Sequence, residues 1–130
     1  MFISLVNWFE NRPKLSWTIT IIGAALIFWI SSITFPPGDS PGLDLKPLIY
    51  HFSAFFFLAA FMLISIVQGK HKNLFGLAVL LSILYAILDE VHQLYIVGRY
   101  FSFGDIMIDS SGILMASIIY TGTIKLRKYK

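Results

Sequence analysis

Residues 74–96 read LFGLAVLLSILYAILDEVHQLYI, with no charged side chain before Asp89 and then Asp89, Glu90, His92 and Gln93 in close succession. At ~1.5 Å per helical residue, a run of this length crosses a ~30 Å hydrocarbon layer. The stretch therefore reads as a membrane-spanning helix that ends in polar groups. Ionisable side chains at that depth cost free energy unless they are paired, hydrated or put to use. The polar set continues past the apolar run as Arg99, Ser102, Asp105 and Asp109, and it marks the candidate functional site.

Outward from this stretch the chain has the same character. Of 130 residues, 57% are hydrophobic and only 13% charged, and the mean hydropathy is +0.76. One small core could not hide that much apolar surface from water. The expected fold is all-α: one membrane domain over residues 1–130, with four transmembrane helices in an antiparallel bundle. The spans are expected at about 15–34, 48–67, 74–96 and 104–124. Pro13 suits the start of the first, Gly69 the end of the second, Asn73 the cap of the third, and Ser102 with Asp105 has capping-box spacing for the fourth. Phe35 to Gly42, with three prolines and two glycines, is expected to be a loop. Met1 to Arg12 places Phe2, Leu5, Val6 and Phe9 on one helical face, which fits either a short interfacial helix or a continuous start to the first span. A signal peptide is the competing reading of that span, but it is too long for an h-region and lacks a small-x-small cleavage site.

The distribution of charge gives orientation and excludes several function classes. Apart from Lys46 and Arg99, every Lys and Arg lies on the side of the termini: Arg12, Lys14, Lys70, Lys72 and the four C-terminal cations. The positive-inside rule then puts both termini in the cytoplasm and the acids Asp39, Asp44, Asp89, Glu90, Asp105 and Asp109 at or near the outer face. The net charge of +3 comes from clusters at span ends, not from a basic face, so no nucleic-acid partner is expected. Without cysteine there is no disulfide, thiolate nucleophile or thiolate metal site. No internal repeat, phosphate-cradling glycine loop, dinucleotide fingerprint or nucleophilic serine motif is present.

Helical spacing brings the polar residues together in space. Asp89, Glu90 and Gln93 share one side of the third span, with His92 flanking it. On the fourth span, Asp105 and Asp109 share a stripe with Gly112 and Ala116, small residues that permit close helix approach. His51 lies near the outer start of the second span, at the same depth. The candidate binding or catalytic residues are therefore His51, Glu90, Gln93, Arg99, Asp105 and Asp109, supported by Asp89, His92, Ser102 and Gly112. Bland roles compete for some of them. Asp105 can be a capping acid, Arg99 an interfacial anchor or the ion-pair partner of Glu90 or Asp105, and His51 a packed histidine, while Ser32, Tyr85 and Tyr100 read as packing or belt residues. His51, Glu90, His92, Asp105 and Asp109 include metal-ligand types, but no His-Glu-x-x-His or comparable spacing occurs, so neither a metal nor a cofactor is expected.

Asp89-Glu90-Val91-His92-Gln93, then Arg99, Ser102, Asp105 and Gly112, after His51-Phe52, resembles the VanZ-like family of small bacterial membrane proteins. The likeness runs from Ser31-Ser32 through the fourth span. It implies a four-span protein of the bacterial cytoplasmic (inner) membrane in a family whose founding member is associated with resistance to the glycopeptide teicoplanin. It carries the family's polar motif to His51, Glu90, Gln93, Arg99 and Asp105. Three departures stand out: Asp44 and Lys46 are spread apart where the family has Asp-Lys, Phe55 stands where Tyr is common, and Asp109 replaces a usual Asn.

Three functions fit these residues. The pocket can bind or shield the head group of a lipid-linked cell-wall precursor, or meet a glycopeptide, with Arg99 on a phosphate or carboxylate. It can be an enzyme site with Glu90 or Asp109 as general acid or base, His51 as partner and Arg99 on developing negative charge. A proton- or cation-coupled carrier is the third, and four spans would have to oligomerise to enclose a path. Membrane lipid is an expected partner in each case.

Overall fold

The computed structural model describes residues 1–34 and 45–127. The expected Pro/Gly-rich loop, with Asp39 and Asp44, and the basic residues Lys128 and Lys130 lie outside the described residues. Every regular element among the described residues is helical. Phe2–Glu10 forms α1, Pro13–Ser31 α2, Leu45–Val67 α3, Phe75–Gln93 α4 and Phe103–Arg127 α5, with a single 3-10 turn at Lys72–Leu74 before α4. Four of these helices are long and apolar enough to cross a membrane.

Local chemistry accounts for most boundaries. Pro13 occupies the first turn of α2, where its missing N–H costs nothing. Pro47 sits in the first turn of α3 for the same reason, so the helix starts earlier than the expected Leu48. Gly69, at φ 65°, reverses the chain after α3, as expected of a C-terminal stop. Two expectations are corrected. Asn73 lies inside the 3-10 turn, and no side-chain cap bond supports the start of α4. The third span stops at Gln93 instead of Ile96, because the N–H groups of Leu94, Tyr95 and Ile96 turn back to carbonyls three residues earlier. Tyr95 and Val97 are each 81% exposed, so no burial holds the helix on past Gln93.

The helices alternate in direction, since the C-terminal ends of α2 and α4 meet the N-terminal ends of α3 and α5. Helix α3 is the hub and packs against all the others. Ile27, Phe55, Leu58, Ala59, Ala86, Ile113 and Ala116 form one core layer, and Val6, Leu63, Ile64, Val67, Ala78 and Tyr120 the next. Around them Trp29, Phe57, Leu88 and Leu114 are each more than 60% exposed, as a lipid-facing surface requires. Phe55 is fully buried within the first of these layers. Buried hydroxyls join the helices elsewhere, with Thr20 of α2 meeting Ser65 of α3 at 3.0 Å.

The N-terminal segment is a separate helix, broken from α2 at Asn11 and Arg12. It turns Val6 and Phe9 onto the bundle, and its Glu10 is buried. The Glu10 carboxylate accepts the Tyr120 hydroxyl at 2.6 Å and an Arg127 guanidinium N–H at 2.6 Å, and the Gly69 N–H donates to the Tyr120 hydroxyl at 3.2 Å. This clasp ties the start of the chain to α5. A hydrogen bond to a charged acceptor contributes ~1.5–3 kcal/mol. Tyr120→Phe is therefore expected to lower stability by about 2 kcal/mol, read as a lower unfolding midpoint in detergent. An unchanged midpoint would show that the clasp contributes nothing.

Candidate functional site

At the opposite end of the bundle, α3, α4 and α5 bring their polar residues together. The close approach of α3 and α5 makes this possible. A Cβ on Gly112 would lie 2.4 Å from the Phe52 carbonyl oxygen and 3.0 Å from the Phe56 nitrogen, so only glycine lets the two backbones touch here. One turn before Gly112, Asp109 faces α3, and its Oδ1 lies 3.0 Å from His51 Nδ1. Both residues are buried, His51 at 4% and Asp109 at 0% exposure. With Asp109 ionised, Nδ1 donates its hydrogen to the carboxylate and Nε2 remains as a lone-pair donor or base.

Helix α4 contributes the second carboxylate. Glu90 is fully buried, and its Oε2 accepts the backbone N–H of Ser102 at 2.9 Å while its Oε1 accepts Gln93 Nε2 at 3.1 Å. The same amide nitrogen donates to Asp89 Oδ2 at 3.3 Å, so Gln93 holds both acids of α4 in place. The Ser102 hydroxyl caps α5 by accepting the Asp105 N–H at 3.1 Å. In a capping box the acid three residues on would reach back to the Ser102 N–H. Here Glu90 takes that N–H, and the Asp105 carboxylate is left to face the pocket. One ligand atom each from His51, Glu90 and Asp105 lie within 4.8 Å of one another.

Arg99 comes from the α4–α5 connection, turned by Gly98 at φ 83°. Its Nε and Nη2 donate to the Ile33 and Ile30 carbonyls at 3.2 and 3.1 Å, which closes the end of α2. It also lines a cavity of about 170 Å³ together with Pro47, His51, Gln93, Gly98, Tyr100 and Asp105. His92 alone of the expected set points elsewhere: its Nε2 lies 2.9 Å from Ser32 Oγ and its ring stacks on Phe28 at 4.3 Å, on the α2 side of α4. Tyr85 is also directed to α2, donating to the Ala24 carbonyl at 2.6 Å.

Three polar atoms in this region are buried without a hydrogen-bond partner among the described residues: Asp109 Oδ2, Asp89 Oδ1 and the Tyr50 hydroxyl. Tyr50, set edge-on to the His51 ring at 5.5 Å, was not an expected site residue, and only its place next to His51 could have signalled it. Chemically, the arrangement offers a histidine held by one carboxylate, a second carboxylate held by two donors, a third freed from its cap, and a guanidinium at the mouth.

A family model described as VanZ/LLP1 matches residues 17–125. No curated protein and no solved structure matches the chain.

Proposed function

The chain belongs to the VanZ/LLP1 family, and from that premise we propose that its pocket binds the polar head group of a lipid-linked cell-envelope intermediate. Binding of that kind is the route by which such a protein would bear on teicoplanin resistance. The observation that carries this reading is the small cavity bounded by His51, Gln93, Arg99, Tyr100 and Asp105 at one end of a four-helix membrane bundle. At about 170 Å³ it has room for a phosphate, carboxylate or amine group rather than a whole glycolipid. The lipid tail would stay among the exposed apolar side chains of the bundle. Placement in the bacterial cytoplasmic membrane, with both termini inside, is supported by Arg12, Lys14, Lys70, Lys72, Lys125 and Arg127 lying at the end opposite the pocket.

The test is binding of the purified protein in nanodiscs to lipid-linked cell-wall precursor, with bulk phospholipid and teicoplanin as competitors. Saturable binding of the precursor is expected, weakened about tenfold by Arg99→Ala, the loss of one charge-assisted contact. Affinity no greater than for bulk phospholipid would overturn the reading.

A second reading, a membrane enzyme on the same class of substrate, is favoured by the His51–Asp109 pair beside Glu90. In it Glu90 acts as general acid or base with His51 as its partner, and Arg99 meets developing negative charge. Folded Glu90→Gln protein would then bind precursor without turning it over.

A further inference from the structure

We propose that His51, Glu90 and Asp105 form a binding site for one divalent transition-metal ion. The inference stands apart from the identity of the head group, since it concerns what the protein side chains hold by themselves. Donor atoms around an ion at ~2.0–2.2 Å sit roughly 3–4.4 Å apart. The three donors here are within 4.8 Å of one another, close to that range. Each comes from a different long helix, α3, α4 and α5, which keeps the backbone positions rigid.

The supporting contacts are those a metal site needs. His51 is engaged through Nδ1 by Asp109 at 3.0 Å, which fixes the ring and leaves Nε2 for an ion. A carboxylate behind a ligating histidine raises its basicity and sets its tautomer. Glu90 is oriented by Ser102 and Gln93, and each of its oxygens keeps a second lone pair. Asp105 is released from the capping box because Glu90 occupies the Ser102 N–H. The adjoining cavity, lined by His51 and Asp105, gives access and leaves coordination positions for water or a substrate oxygen.

Independent of this geometry, Asp109 and Asp89 each have one buried carboxylate oxygen with no partner among the described residues. Asp109, at 0% exposure, leaves Oδ2 unpaired while its other oxygen sits on His51, and Asp89, at 4% exposure, leaves Oδ1 unpaired while its other oxygen sits on Gln93. Desolvated negative charge of this kind is stabilised by a cation next to it. One imidazole with two carboxylates, and no thiolate, suits Mn²⁺ or Zn²⁺ better than the all-oxygen shells of Ca²⁺ and Mg²⁺. Spacing along the chain could not reveal the set, because its members are spread over three helices.

The test titrates full-length protein in nanodiscs, stripped with chelator, with Mn²⁺ alone and no lipid-linked ligand. Saturation at one ion per chain is expected, with spin-echo modulation from one imidazole nitrogen. Asp105→Asn, at a partly exposed position whose backbone cap is untouched, is expected to weaken uptake by more than about tenfold, and Asp109→Asn by about 10–100-fold. His51→Gln should abolish the nitrogen modulation. No saturable uptake by the wild-type protein, uptake without imidazole modulation, or an affinity indifferent to Asp105→Asn would each overturn the proposal. Precursor binding by a protein that takes up no Mn²⁺ would leave the head-group reading intact and remove only this one.

Discussion

Gly112→Ala is expected to destabilise the bundle by about 3 kcal/mol, at the upper end of what overpacking costs. The added methyl would sit 2.4 Å from a backbone oxygen of Phe52 and 3.0 Å from the Phe56 nitrogen. Neither atom can swing aside as a side-chain tip would, so α3 and α5 must separate along their contact. His51 and Asp109 sit on the same two helices within one turn of that contact, so their 3.0 Å bond lengthens with it and the pocket loosens. Stability and ligand binding should therefore fall together. Gly122→Ala, on the same helix with nothing within 4 Å of the new methyl, is the control. It should be neutral or raise stability by up to ~1 kcal/mol through helix propensity. Chemical unfolding of both variants in detergent decides the matter: similar midpoints would mean that the α3–α5 approach is not what holds the fold.

The second large effect is at Glu90. Glu90→Ala is expected to cost about 3–5 kcal/mol, because it removes the acceptor for two donors, the part-buried Ser102 N–H and the buried Gln93 Nε2, at 2.9 and 3.1 Å. The Ser102 bond also ties the α4–α5 connection to α4. Its loss should therefore free residues 94–102 as well as lower the midpoint, and limited proteolysis reads that opening directly. Glu90→Gln keeps one acceptor and the side-chain shape while setting an amide against a donor, at a cost of about 1–3 kcal/mol. That variant should stay folded. A Glu90→Ala protein as stable and as protease-resistant as the wild type would mean that the buried carboxylate is not a structural anchor.

These two residues differ in how far their roles could be read from the chain. Gly112 stood four residues before Ala116 on the stripe of Asp105 and Asp109, and helical periodicity by itself pointed it at a neighbouring helix. Glu90 was legible as a buried acid beside Gln93. Its hold on Ser102 was not, because local spacing assigned that N–H to Asp105 and only the return of the chain after α4 brings Glu90 within reach. His92, which flanks the Asp89, Glu90 and Gln93 face on its other side, turns to the α2 side of the helix and meets Ser32, a partner that helical spacing alone does not name. Glu10 lies outside every motif read from the sequence. Its partners, Tyr120 and Arg127, are on the last helix, and no local pattern links them.

Hydrophobic run length determined, with no structure needed, that this chain has four spans, because the thickness of a hydrocarbon layer sets how many apolar residues a helix must supply. Periodicity determined which polar residues turn from lipid, and the family motif marked His51, Glu90, Gln93, Arg99 and Asp105 among them. The tertiary structure alone decided which polar groups meet: His51 with Asp109, Glu90 with Ser102, and one donor each from His51, Glu90 and Asp105 within 4.8 Å. Those pairings depend on how α3 and α5 lie against each other and where α4 ends, and such distances arise from packing between segments far apart in the chain, which one-dimensional spacing does not carry.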